Sequence, residues 1–183
     1  MEALHDLVQS GKVRYIGASS MWAYQFATLQ FTAEKHNWTK FISMQNQYNL
    51  RYREEEREMN TFCKGTGVGL LAWSPNSGGM LARPLSAEKT TRSSGAMGAF
   101  FPNITDADKE IINRVQKVAK DKEWTMSQVA LVWMIQKGHI PIVGFSSVKR
   151  VEEGCGLMGK ALTEEEVKSL EEPYVPTRVT GHT

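Results

Sequence analysis

Residues 141–153 read Pro141-Ile142-Val143-Gly144-Phe145-Ser146-Ser147-Val148-Lys149-Arg150-Val151-Glu152-Glu153. An apolar strand stops at Gly144, two hydroxyl residues follow, and a helix opens with Lys149 and Arg150 in its first turn. Backbone N–H groups at a helix start, joined by an arginine, favour an anion. In a barrel of alternating strands and helices, the loop after the last strand is where a phosphate usually sits. The stretch therefore predicts a βα unit whose loop, with Ser146, Ser147 and Arg150, holds a phosphate-bearing cofactor.

Upstream of that unit the same alternation repeats. Ala3, Leu4, Leu7 and Val8 follow a helical period that Gly11 stops, with no N-cap residue ahead of it. Val13–Ser20 is a β-prone run ending in small residues, and Ala23–His36 is helical, with Phe26, Leu29 and Ala33 on one face. Phe41–Tyr48 is a second strand, apolar at first and loaded with amides (Gln45, Asn46, Gln47) at its far end. Glu54–Lys64 reads as one helix whose glutamates favour its N-terminal dipole and form a solvated face. Val68–Trp73 is a third strand, nearly all apolar, as in a parallel sheet covered on both faces.

Periodicity is lost over residues 74–104, a length expected of a lid, a binding loop or disorder. Thr105 then caps a helix running to Trp124, and Ser127–Lys137 is a second helix apolar enough to be buried. Ile140–Gly144 is the fourth strand. The helix from Val148 breaks near Gly154–Gly159, Thr163-Glu164-Glu165-Glu166 is a capping box for a last helix, and Pro173–Thr183 is a tail. Strict alternation implies parallel strands with right-handed crossovers in one domain over residues 1–183.

Bulk properties narrow the function classes. The 183 residues are 41% apolar and 23% charged, which suits an ordered globular domain. A net charge of +2, with no cluster of basic residues, argues against nucleic acid as a partner. Cys63 and Cys155 lie far apart with no metal spacing, and the four histidines are scattered, so free thiols in a reducing compartment and no metal are expected. No apolar run approaches the roughly 20 residues that span a bilayer, and the N-terminal segment lacks a signal-peptide core. The expected location is cytoplasmic.

Four strings carry a family resemblance: GKVRYIGASS at 11–20, QNQYNL at 45–50, GLLAWSP at 69–75 and PIVGFSSVKRVEE at 141–153. Together, in this order, they resemble the aldo-keto reductase superfamily, most closely its fungal and bacterial branches with longer loops. The resemblance implies the second half of a (β/α)8 TIM barrel, an α/β fold of four parallel strands and flanking helices, and NADP(H) lying across the C-terminal strand ends. It places the catalytic aspartate, tyrosine, lysine and histidine of that family in segments ahead of Met1, so no catalytic residue carries over. By the same resemblance, Ser19, Ser20 and Gln45 face the nicotinamide carboxamide and Trp73 stacks on the ring. Ser74 and Pro75, continuing through Asn76 and Gly78, form the pyrophosphate loop. Arg150 faces the 2′-phosphate and Glu153 the adenine. Asn76-Ser77-Gly78-Gly79, Gly144-Phe145 and Gly154 depart from the family's usual basic and amide residues, which weakens the expected cofactor contacts.

Tyr48, a phenol near the active end of a strand, is read chiefly as a packing residue and otherwise as a proton donor in a repurposed site. Three functions follow. The first is NADP(H)-dependent reduction of a small-molecule carbonyl by hydride transfer, completed by a half from elsewhere. The second is a non-redox cyclisation or isomerisation of a hydrophobic metabolite in secondary metabolism. The third is a non-catalytic half-barrel that binds cofactor and pairs as a homodimer, because an open parallel sheet leaves two bare edges and an uncovered face.

Overall fold

The structure is a computed structural model that describes residues 1–87 and 104–181. Its elements in chain order are α1 (Glu2–Gln9), β1 (Gly17–Ser19), α2 (Ala23–Lys35), β2 (Ser43–Gln47), a 3-10 turn (Glu54–Glu56), α3 (Met59–Thr66) and β3 (Gly69–Trp73). A second 3-10 turn (Ser77–Ala82) follows, then α4 (Asp106–Asp121), α5 (Met126–Gln136), β4 (His139–Ile142), α6 (Val148–Cys155) and α7 (Glu164–Glu171). The strands form one parallel sheet in the order β1-β2-β3-β4. This is the parallel sheet that the alternation predicted and the α/β half-barrel that the resemblance implied.

Strand register sorts every side chain onto one of two faces. Ala18, Met44, Leu70 and His139 lie in one row, and Ser19, Gln45, Leu71 and Ile140 in the next. The first row faces the helices. Met44 and Leu70 are buried with Phe26 of α2 and with Met59 and Cys63 of α3. Further along the chain, Ala72, Tyr48 and Leu50 join Ile111, Val115, Val129, Trp133 and Leu170 in a second core under α4, α5 and α7. The opposite face is open: Ile140 is 61% and Ile142 42% exposed. Gly17 sits on that face because a Cβ there would collide with the Ser43 hydroxyl.

The helix starts follow local chemistry. Thr105, Thr125 and Thr163 each accept the N–H of the third helical residue, and Asp108, Gln128 and Glu166 reach back to the cap N–H. These caps place α4, α5 and α7 as the sequence predicts.

Several expectations need correction. The predicted helix over 54–64 is a 3-10 turn followed by a shorter α-helix, and its glutamates are not a solvated face. Glu54 is 5% and Glu55 6% exposed, because Arg53, Arg57, Tyr52, Tyr174 and Thr177 converge on this turn. Strand β1 is only Gly17–Ser19, since a strand with one neighbour loses pairing at its ends. The stretch after Trp73 is not wholly irregular, because Ser77–Ala82 winds a turn; the rest of the predicted long loop, over 88–103, lies outside the described residues. The tail after Pro173 is held to the body by hydrogen bonds through Thr180.

Candidate functional site

The candidate site lies at the C-terminal ends of the strands, where parallel sheets gather their binding loops. Ser19 and Gln45 are register partners on the open face, and Gln47 is the partner of Trp73, itself beside Ile142. The register therefore brings Ser19, Gln45 and Trp73 together as the sequence reading required. Ser19 donates its hydroxyl to the Gln45 carbonyl at 2.7 Å. Ser20 adopts a left-handed φ of 49° and donates its N–H to Asn46 Oδ1 at 2.9 Å, so the strand end turns sharply with its hydroxyl 3.2 Å from that of Ser19. Trp73 is half-buried, with one side toward the open face.

The loop after Trp73 is a chain of left-handed residues: Ser74 (φ 59°), Ser77 (48°), Gly78 (66°) and Gly79 (97°). Such a run folds the backbone tightly, and glycine removes the Cβ conflict at two of the four positions. Three ties hold it. Asn49 Nδ2 donates to the Ser74 carbonyl at 3.0 Å, Asn76 Nδ2 to Ser127 Oγ at 2.8 Å, and Arg51 Nη1 to Ser77 Oγ at 3.0 Å. Pro75 is buried beneath the turn. Arg51 also pairs with Asp108 at 2.8 Å. Burial alone would raise the Asp108 carboxyl, but Arg51 and Thr105 hold it below its usual range. One buried guanidinium thus clasps both ends of the excursion between β3 and α4.

At the other end of the site, Ser147 caps α6 and Arg150 donates to Ser146 Oγ at 2.8 Å. Ser146, Ser147 and Arg150 are exposed, and Arg150 makes no ion pair among the described residues. Glu153 uses its carbonyl to accept from Gln128 Nε2 at 3.0 Å, which ties α6 to α5. Phe145 lies over Gly154, where any Cβ would collide with the ring. The donors at this end suit an anion, and the flat, half-buried Trp73 suits an aromatic ring, so the residues present fit a phosphate-bearing dinucleotide.

Tyr48 is not a proton donor to this site. Its side chain faces the helices, stacked between Trp133 (ring centroids 5.2 Å apart) and His139 (4.0 Å), and its hydroxyl donates to Glu56. Burial, with the Glu56 carboxylate beside it, pushes the phenol well above its ordinary value.

The sequence reading missed a polar layer directly beneath the site. Arg53 donates to Glu56 at 2.8 Å and to Glu171 at 3.1 Å, and lies over the rings of Trp133 and Tyr174. Glu54 accepts from Tyr174 OH at 2.6 Å, from Thr177 N–H at 2.8 Å and from Arg57 at 2.6 Å. Burial opposes ionisation of Glu54 and Glu56, but these donors keep both below the usual carboxylate range. Glu55 has no such cation. It accepts from Asn46 Nδ2 at 3.1 Å, and burial, with Glu54 adjacent, pushes it up to about 7 against the pull of Tyr52. The signal was available in Tyr52-Arg53-Glu54-Glu55-Glu56-Arg57, where arginines bracket acids at a spacing suited to internal pairing.

A half-barrel of parallel βα units, its last strand leading into a loop of serines and an arginine at a helix start, places the chain in the TIM-barrel class. Within that class, the sequence matches the aldo/keto reductase family over residues 1–174, and the chain belongs to that family. It is 52% identical to the aldo-keto reductase dtxS3 of Metarhizium robertsii, over 100% of this chain and 50% of that protein. It is 46% identical to versiconal hemiacetal acetate reductase of Aspergillus parasiticus, over 98% of this chain and 53% of that protein. The crystal structure of the thermostable aldo-keto reductase Tm1743 superposes with a TM-score of 0.68 at 23% identity, over 94% of this chain and 53% of that one. That likeness shows the same barrel fold. The chain spans about half the length of these relatives. Among the described residues, no helix is long and apolar enough to cross a membrane.

Proposed function

We propose that this chain is the cofactor-holding half of an NADP(H)-dependent carbonyl reductase barrel. The observation that carries the reading is the register: Ser19, Gln45 and Trp73 share one open face, and β4, beside Trp73, leads into the Ser146-Ser147-Arg150 anion loop. Bound along these strand ends, the nicotinamide supplies the hydride for reduction of an aldehyde or ketone. The chain's own residues hold and orient. Ser19, Ser20 and Gln45 offer hydroxyls and an amide to the carboxamide, and Trp73 offers a flat apolar surface to the ring. The backbone of Ser74, Pro75, Asn76 and Gly78 curls around the pyrophosphate. Ser146, Ser147 and Arg150 meet the 2′-phosphate, with Glu153 beside the adenine. A positioned proton donor belongs to the remainder of such a barrel, and chemistry requires both halves.

Titration of NADPH against tryptophan fluorescence tests this reading. Arg150→Ala should weaken NADPH binding about 10- to 100-fold, the value of a charge-assisted contact, and leave NADH binding nearly unchanged. Equal effects on both nucleotides, or no quenching at millimolar NADPH, would refute it.

The open face also favours a second reading, in which the chain is a non-catalytic half-barrel. We propose that a second copy covers that face. Among the described residues both sheet edges, β1 and β4, are unpaired, so two four-stranded copies related by a twofold axis make eight parallel strands. The barrel in the solved relative is about twice this chain's length, which matches a complement of equal size. Light scattering should then give twice the chain mass; a monodisperse monomer refutes the pairing.

A further inference from the structure

We propose that residues 174–181 form a strap that occupies the nicotinamide end of the site, and that it must lift before a dinucleotide can seat. This inference rests on the cofactor reading above.

The strap is pinned at three points. Tyr174 OH and Thr177 N–H both donate to Glu54. The Thr180 N–H donates to Tyr52 OH at 3.1 Å, and the phenol lies 3.3 Å from the Thr180 carbonyl. The Thr180 hydroxyl donates to Gln47 Oε1 at 2.8 Å. Gln47 is the register partner of Trp73, so this last bond brings the chain onto the open face itself. The next residue, Gly181, then lies against both groups assigned to the nicotinamide: a Cβ built on it would be 3.7 Å from Trp73 Cζ2 and 3.7 Å from Ser20 Oγ. A planar ring stacked on Trp73 and reaching Ser20 has to pass through the space Gly181 holds.

The strap is built to release. Val175 and Arg178 are exposed, and Arg178 makes no ion pair among the described residues. Beneath the strap is a cavity of about 230 Å³ bordered by Gln47, Arg51, Tyr52, Ser77, Asp108 and Arg178. Tyr174 packs against the helix-side core, but beyond it a segment that borders a cavity and is held by a few hydrogen bonds has little apolar burial to offset the entropy of ordering its backbone. Its anchors also connect to the site. Tyr52 neighbours Glu55, Glu55 accepts from Asn46, and Asn46 accepts the Ser20 N–H.

The test compares the whole chain with a form ending at Pro176 and with Thr180→Val, all labelled with 5-fluorotryptophan. The Trp73 resonance is assigned through Trp73→Phe. Removing the strap should shift the Trp73 fluorine resonance with no nucleotide present. It should also tighten NADPH binding about tenfold, as when a closed state holds about nine-tenths of the molecules; Thr180→Val should move both readouts in the same direction. An unmoved Trp73 resonance overturns the strap, because Gly181 then does not cover the ring. Equal NADPH affinity of whole and shortened chains overturns its competition with cofactor. No binding by either form, with the resonance shifted, overturns the cofactor reading and the competitive role together.

Discussion

The two faces of the sheet are built from the same strands and obey opposite rules. On the helix side, Met44, Leu70, Ala72 and Tyr48 are buried, and several polar residues there are tied: Asn46 bonds Ser20 and Glu55, and the turn at 54–56 closes ion pairs with Arg53 and Arg57. On the open side, Ser19, Ile140 and Ile142 are exposed, and Gly181 of the strap lies near Trp73 and Ser20. The core packs on one face, and the proposed function assigns recognition to the other. Substitutions on the helix side should therefore change unfolding and those on the open side should change association, a division that measurement can break.

The largest effect is expected from Trp133→Ala. Trp133 is fully buried, stacks on Tyr48, donates Nε1–H to Glu171 at 2.8 Å and carries Arg53 over its ring. Truncation should cost about 3–5 kcal/mol of stability, read as a lower urea midpoint. A loss below about 1 kcal/mol, the average for any substitution, would mean that the helix-side core is not the stabilising one.

Glu55 gives the next effect, through pH. Its folded pKa, about 7, lies above its ordinary 4.5, so its contribution to stability is present below that ordinary value and is lost as pH rises through 7. His139 works in the opposite direction. Its two ring nitrogens are buried without hydrogen-bond partners among the described residues. Burial and Lys64 push it down to about 4, so its contribution is full above 6.5 and is lost as pH falls toward 4. The two slopes oppose one another between pH 4.5 and 6.5, and the parent profile there should be nearly flat. Glu55→Gln removes one slope. Its stability should climb to a plateau near pH 6.5 and exceed the parent's at pH 8 by up to about 3 kcal/mol. Denaturant midpoints from pH 4.5 to 8 check this; parallel profiles for the two proteins would show that Glu55 ionises normally.

The smallest stability effect belongs to the open face. Ile140→Arg should change the unfolding free energy by less than about 0.5 kcal/mol, as exposed substitutions do, yet halve the mass seen by light scattering. A large stability loss from this change in a monomeric sample would show that the two faces are not divided as described.

Much of the fold was legible in the chain because its signals are local. Period-two and period-3.6 apolar patterns, threonine caps three residues ahead of an acid or amide, and glycines at helix ends all act within a few residues. They located the described strands and α-helices, but not the 3-10 turns at Glu54–Glu56 and Ser77–Ala82. The Ser146–Arg150 loop was read from the same local signals, whereas Ser19, Gln45 and Trp73 were singled out through the family resemblance; the parallel register places those three on one face. What the chain did not disclose was the fate of its charges and its tail. Glu54 looks solvated in a string of letters, because nothing local marks Tyr174 and Thr177 as its partners. Tyr48 looks like a phenol at a strand end until strand parity turns it toward Trp133. The sequence by itself determined the alternation, the caps and the serine loop that opens the helix after β4, since these are short-range consequences of side-chain shape and hydrogen-bonding type. Only the tertiary structure decided which carboxylates are buried, which face stays open and where residues 174–181 come to rest, since those outcomes depend on contacts between segments more than a hundred residues apart, such as Glu54 and Tyr174.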